Sequence, residues 1–230
     1  MWNTRQRSLL VALFLLAVAL RLLYLFDLKD YEFSNRLLLD PGSYDRKAAA
    51  ILEGESPAPG RAFYQAPLYS YFLAGVYAVA GRDLDSARFL QILLGCVSVV
   101  LIARIGTLLL GFPAGLLAGA AAALHAPFPF FEAQIMKTSL GVFLVLAGVF
   151  SLLAGRGGRS ALAAGLLLGL ASLVRENALV LLLAAAAGSR GGGCPGAAAV
   201  AGPFSSFSEG RARSLRSRFE TTRSPESGFS

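Results

Sequence analysis

Charge and histidine are both scarce in this sequence. Charged residues make up 15% of its 230 positions, where a soluble domain carries roughly a quarter. The polar coat needed to face water on all sides is therefore missing. His125 is the single histidine, which closes off metal centres and nucleophilic triads built on histidine clusters. The two cysteines, Cys96 inside an apolar run and Cys194 near the C-terminus, form neither a disulfide framework nor a metal-ligand spacing.

Apolar residues fill the space that charge leaves. They make up 55% of the chain, with a mean hydropathy of +0.60. They fall in blocks of about 15–25 residues, the length that crosses a hydrocarbon core of roughly 30 Å. The first block runs from Leu9 to Phe26, behind Arg5 and Arg7. Ala17-Val18-Ala19 resembles a signal-peptidase site, but Leu22-Leu23-Tyr24-Leu25-Phe26 extends the block to a full span. An uncleaved first helix is expected, with a cytoplasmic N-terminus and the chain emerging outside. Arg21 near its far end is expected to snorkel to the interface. Further blocks follow at 66–80, 89–110, 113–131, 138–154 and 161–187. The 66–80 block is short for a span and decides the sidedness of all that follows: if it crosses, Arg82–Arg88 is cytoplasmic; if not, Pro127–Lys137 lies outside. Small-residue ladders at Gly111, Gly115, Gly119 and at Gly165, Gly169 suit close helix packing inside one bundle.

The fold class expected is an all-α polytopic membrane bundle over 1–187, with one long outer loop at 27–65. Residues 188–230, rich in Gly, Ser, Arg and Pro without apolar periodicity, read as a disordered tail. The net charge of +7 and pI of 9.8 owe much to that tail, and they fit cytoplasmic basic segments better than a nucleic-acid partner. The expected place is a cell inner (plasma) membrane.

The outer loop carries the chemistry. Asp40-Pro41-Gly42-Ser43 reads as a turn, with Ser43 capping a short surface helix that runs through Ala48, Ile51 and Leu52 to Gly54. Asp40 emerges from Leu37-Leu38-Leu39, partly desolvated yet able to reach a substrate hydroxyl as a general base must; the plainer reading is an Asx-type turn. Asp45, Lys47, Arg61, Tyr64 and Gln65 are candidates to line a polar site over the bundle; the plainer reading is that these loop groups are simply solvated. Glu132 follows the aromatic stretch Pro127–Phe131, which suits an interfacial belt. Arg175-Glu176-Asn177 interrupts an apolar block, either as an intramembrane polar site or as a boundary between two helices.

The order of these motifs resembles a known group. Leu39-Asp40-Pro41-Gly42-Ser43-Tyr44-Asp45 precedes Phe63-Tyr64-Gln65-Ala66-Pro67-Leu68-Tyr69. Arg88-Phe89-Leu90-Gln91 and then Arg175-Glu176-Asn177 follow. Over residues 8–187 the chain is similar to the N-terminal part of bacterial GT-C glycosyltransferases of family 39, the protein-mannosyltransferase and aminoarabinose-transferase-like group. The resemblance implies an enzyme that moves a sugar from a polyprenyl-phosphate carrier to an acceptor glycan, lipid or protein on the outer face of the membrane. It implies Asp40 as the general base and Glu132 as a second acidic position near the substrate. Some relatives hold a divalent metal; no ligand set for one is apparent here, and no other cofactor is implied. Relatives run to more spans, so the chain is expected to be an N-terminal fragment, frameshifted near Ala187 and impaired when alone. Rival readings are a transporter or flippase-like permease, which needs paired charges deep within the spans, and a non-catalytic membrane scaffold.

Overall fold

The computed structural model describes residues 3–29, 37, 39–56, 65–155 and 157–190. These form helices α1 (Thr4–Lys29), α2 (Asp40–Leu52), α3 (Leu68–Ala80), α4 (Leu84–Leu110), α5 (Phe112–Leu124), α6 (Pro127–Ala133), α7 (Thr138–Ala154), α8 (Gly158–Ser172) and α9 (Ala178–Arg190). No strand occurs among the described residues, and the class is all-α. Arg61, Tyr64 and the segment after Arg190 lie outside the described residues.

Local chemistry sets the helix ends. At the start of α1, Gln6 N–H donates to Asn3 Oδ1 at 2.8 Å while Asn3 N–H donates to Gln6 Oε1 at 3.2 Å. This reciprocal box satisfies two orphan donors. Asp83 caps α4, its carboxylate accepting from Asp85 N–H and Ser86 N–H at 3.3 and 2.9 Å. Helix α4 stops at Gly111, whose φ of 90° suits glycine.

Two helices are long and apolar enough to cross a bilayer alone, α1 with 26 residues and α4 with 27. At 1.5 Å per residue each reaches about 40 Å, against a core of about 30 Å. Helices α5 and α6 meet at a 53° bend and pass the same test as a pair. Thus the single apolar block expected at 113–131 is broken at His125–Ala126. The block at 161–187 is likewise broken, and Arg175, Glu176 and Asn177 sit exposed between α8 and α9. They are a boundary.

Helix α3 is too short to cross a bilayer alone. Its 13 residues reach only about 20 Å, and both its flanks are tied to the same short stretch of α2. Gln65, before α3, bonds Asp40, Ser43 and Lys47. Arg82, after it, bonds Asp45. A spanning helix would put those flanks on opposite sides of the membrane. Helices α2 and α3 instead pack together as a surface layer, with Tyr44 edge-on to Tyr69 at 4.8 Å between centroids. The question left by the short 66–80 block is thereby answered: 127–137 lies on the Asp40 face. Leu68 N–H reaches Leu173 O at 3.3 Å, and Arg88 reaches Ala133 O at 3.0 Å. The starts of α3 and α4 and the ends of α6 and α8 therefore share that face too.

Two apolar cores join the layers. One, around Leu13, Ala17, Cys96, Val99 and Ala103, packs α1 and α5 on α4. The other, around Tyr44, Tyr69, Leu73, Leu140 and Val174, seats the α2–α3 layer on α7 and α8. A Cβ at Gly115 would collide with Ala103 O and Thr107, and one at Gly119 with Ala103 and Leu13. That ladder is internal packing. Gly165 and Gly169 face open space, beside exposed Leu162, Leu166 and Leu170, a surface suited to lipid.

Candidate active site

The first turn of α2 organises the site. The helix begins at Asp40, three residues before the expected cap, because Pro41 fits an N-terminal turn and Ser43 N–H already reaches Leu39 O at 3.1 Å. Freed from capping, the Ser43 hydroxyl donates to Gln65 Oε1 at 3.0 Å. Gly42 is needed where it stands: a Cβ there would lie 2.6 Å from Leu37 O. Leu39 takes a φ of 56° and is 91% exposed. A left-handed leucine is strained, and such strain gathers at functional positions. It presents Asp40 at the surface.

Gln65 gathers the polar groups. Its Nε2 donates to Asp40 Oδ1 at 2.9 Å, while its Oε1 accepts from Lys47 Nζ at 2.8 Å. Partial burial holds the Lys47 ammonium below the usual lysine range, an effect that Asp40 partly opposes. Tyr44, one turn along, reports what stands nearby. Its hydroxyl is raised by burial and then by Asp40, with Arg175 opposing and Glu176 adding. The α8–α9 boundary thus stands beside Tyr44, with Val174 in the same core, one helical turn from Asp40.

Arg175 also borders a groove. A cavity of about 330 Å³ runs between α7, α8 and α9, with Thr138, Arg175 and Asn177 among its lining and Val142, Val145, Leu146 and Leu181 supplying apolar walls. Arg175 Nη2 donates to Thr138 Oγ1 at 3.1 Å. A cation thus stands at a largely apolar slot.

Asp45 turns the other way. Its carboxylate accepts from Tyr77 at 2.8 Å and from Arg82 at 3.3 and 2.5 Å. Burial raises its pKa, but the hydrogen bonds from Arg82 and Tyr77 and the charges of Arg82 and Arg46 outweigh that, so it stays below the ordinary value. Asp45 clasps α2 to the α3–α4 turn and does not meet Asp40's group.

Glu132 is buried, and so is Arg21. Arg21 Nε and Nη2 reach the two carboxylate oxygens of Glu132 at 2.6 and 3.0 Å, and Nη1 reaches Ala17 O at 3.3 Å. Arg21 is 0% exposed, so it does not snorkel as expected: a partner inside the bundle removes the need to reach water. Gly95 makes room, since a Cβ there would strike the Glu132 carboxylate. The Glu132 main-chain oxygen accepts from Gln91 at 2.8 Å, and Gln91 also reaches Gln134 O at 2.7 Å. Gln91 Oε1 in turn accepts from Tyr69 at 2.6 Å. The roles of Gln91, Arg88 and Tyr69 escaped sequence reasoning. Polar residues on the first turns of an apolar helix were the available signal.

Among the described residues, the surroundings of Asp40 do not make a ligand set for a divalent metal. Its neighbours offer an amide, a hydroxyl and an ammonium, and no three His, Cys, Asp or Glu side chains converge among the described residues. Hard cations want several oxygen ligands, carboxylates foremost.

Comparison with curated proteins and with solved structures gives no match. The family described as dolichyl-phosphate-mannose-protein mannosyltransferase matches residues 64–188, more than half of the chain. The matched stretch starts at Tyr64 and takes in α3 to α8 and most of α9; α1 and α2, with Asp40, precede it. With the all-helical fold, the apolar spans and this match together, the chain belongs to the dolichyl-phosphate-mannose-protein mannosyltransferase family and is a membrane glycosyltransferase of the GT-C type.

Proposed function

We propose that this chain carries the acceptor-side base and part of the donor site of a transferase. The enzyme would take a sugar from a polyprenyl phosphate and place it on an acceptor hydroxyl at the outer membrane face. The observation that carries this reading is the pairing of two features beside the first turns of α2: an exposed carboxylate, Asp40, held by Gln65, and a largely apolar groove that Arg175 borders. The groove suits an isoprenoid chain, and the guanidinium suits its phosphate.

The chemistry follows from the placement. Asp40 removes the proton from the acceptor hydroxyl as its oxygen attacks the anomeric carbon. The bond from that carbon to the phosphate oxygen breaks, and the polyprenyl phosphate leaves with the negative charge. Arg175 offsets that charge, with Lys47 held on the Asp40 side of the site through Gln65. Gln65 orients the Asp40 carboxylate.

The orientation rests on charge. The face opposite Asp40 collects Arg5, Arg7 and Arg159, all exposed, and no acidic residue among those described. The Asp40 face carries both signs, with Asp45, Glu53, Asp83, Asp85 and Glu176 beside Arg46, Lys47, Arg82, Arg88 and Arg175. The first span therefore decides: Arg5 and Arg7 precede it, the positive-inside rule keeps that N-terminal flank in the cytoplasm, and Asp40, one crossing later, is outside, at a plasma or inner membrane. The deep Arg21–Glu132 pair is what a permease would display, but the cavity beside Glu132 measures about 20 Å³. That holds one water and no solute.

The test is Asp40→Asn in the full-length protein, assayed for transfer from a polyprenyl-phosphate sugar. A fall in kcat of roughly 10²–10⁴ is expected for loss of a general base. Activity near that of the unmutated protein overturns the assignment.

A further inference from the structure

A line of buried contacts runs from the α1–α6 interface to the layer that carries Asp40. It begins at the Arg21–Glu132 pair between α1 and α6. From the Glu132 backbone it passes to Gln91 on α4, then from Gln91 Oε1 to the Tyr69 hydroxyl on α3 at 2.6 Å. The Tyr69 ring meets the edge of Tyr44 on α2. Gln91 and Tyr69 are 0% exposed and Tyr44 is 1%. Asp40 stands one helical turn before Tyr44.

Each link is of a kind that resists adjustment. Gln91 serves three groups at once, donating to two carbonyls and accepting from Tyr69. Its amide is therefore fixed in plane and in sense. The carbonyls of Glu132 and Gln134 lie at the end of a seven-residue helix, where helical partners run out. Buried in apolar surroundings they need those donors. Tyr69 thus hangs from a rigid acceptor. Helix α2 is seated on the core through Tyr44, Ala48 and Ile51, and its polar anchors are the Asp45 clasp and the Gln65 contacts, so the Tyr69 ring contact is what ties its first turns to the Gln91 network.

We propose that Tyr69 and Gln91 are positioning residues, which transmit the rigidity of the Arg21–Glu132 anchor through the Tyr69–Tyr44 contact and so fix the α2 turn that presents Asp40. The consequence for catalysis rests on reading Asp40 as the base. The mechanical coupling does not.

Tyr69→Phe tests it with the least disturbance, because the ring and its contact with Tyr44 remain and only the hydroxyl is lost. Gln91→Met is the second variant, cutting the line on another helix. Two readouts are taken on the full-length protein in nanodiscs: amide hydrogen exchange by peptide, and kcat and KM for sugar transfer. In both variants exchange over residues 40–52 is expected to rise about tenfold, with α7 and α8 unchanged. With Tyr69→Phe, kcat is expected to fall roughly tenfold with KM within about twofold, as loss of one buried hydrogen bond would allow. A purely structural role would instead raise exchange throughout the bundle and lower the folded fraction, leaving kcat per folded molecule unchanged. Unchanged exchange over 40–52 in Tyr69→Phe overturns the proposal, whatever the activity. If α2 loosens in both variants while Asp40→Asn remains active, the coupling is upheld and only the base assignment falls.

Discussion

Removing Arg21 alone should damage this protein more than removing Arg21 and Glu132 together. Arg21 is fully enclosed, and two of its nitrogens meet both oxygens of a carboxylate that is itself 4% exposed. In Arg21→Met the methionine fills most of the volume but leaves Glu132 without its cation. The carboxylate must then stay charged in an apolar setting or take up a proton. Breaking a buried pair from one side costs about 3–5 kcal/mol. The same holds for Glu132→Leu, which strands the guanidinium. In Arg21→Met/Glu132→Leu neither charge remains, and exchanging a buried pair for apolar groups of similar size is neutral or stabilising by about 1–4 kcal/mol. The double-mutant cycle should therefore show coupling of several kcal/mol. The assay is unfolding in mixed micelles, titrated with sodium dodecyl sulfate and followed by the helical circular dichroism signal. A single Arg21→Met variant within about 1 kcal/mol of the parent would refute the reasoning, as would a double variant less stable than both singles.

Further outcomes are expected from the same geometry. Gly95→Ala pushes a methyl into the held Glu132 carboxylate and should cost about 1–3 kcal/mol, whereas Gly169→Ala, facing open space on α8, should be neutral or gain up to about 1 kcal/mol; the same micelle titration compares them. Arg175→Gln should raise KM for the lipid-linked donor roughly tenfold or more, as loss of a charge-assisted contact to phosphate predicts, measured against donor concentration at fixed acceptor; an unchanged KM would remove Arg175 from the donor site. Asp45 is held below its ordinary value of 3.8, so the folded protein binds this proton less readily than the unfolded chain. The clasp's contribution is then complete above that value and is lost as the pH falls below it. Melting at pH 6 and pH 3 should show a steeper loss for the parent than for Arg82→Gln, and equal losses would show that the clasp does not titrate.

Much of the architecture was legible because the bilayer imposes it. The blocks at Leu9–Phe26 and 89–110 appear as α1 and α4, since long apolar runs have few other fates. The surface helix after Asp40 was visible from Ala48, Ile51 and Leu52, although its start was misjudged. Ser43 looked like a cap because local chemistry favours it, and only the distant Gln65 shows why its hydroxyl is engaged elsewhere. The break at His125–Ala126 was not legible, because the aromatic run reads as a continuous apolar block. The partner of Arg21 was hidden for a similar reason: 111 residues separate it from Glu132, and nothing local marks either as belonging to the other. Of the candidate site, Asp40, Lys47 and Gln65 come together, Asp45 and Glu132 are engaged elsewhere, and Arg61 and Tyr64 fall outside the described residues.

Gln65 has a consequence that a lysine or glutamate in its place would not give. A primary amide is neutral and two-sided, so it offers hydrogens to the acid and a lone pair to the ammonium at the same moment. It acts as an insulating spacer: opposite charges are lodged a few ångströms apart without collapsing onto each other. Among the described residues neither charge closes on the other, and a newcomer need not first prise open an ion pair between them to reach either one.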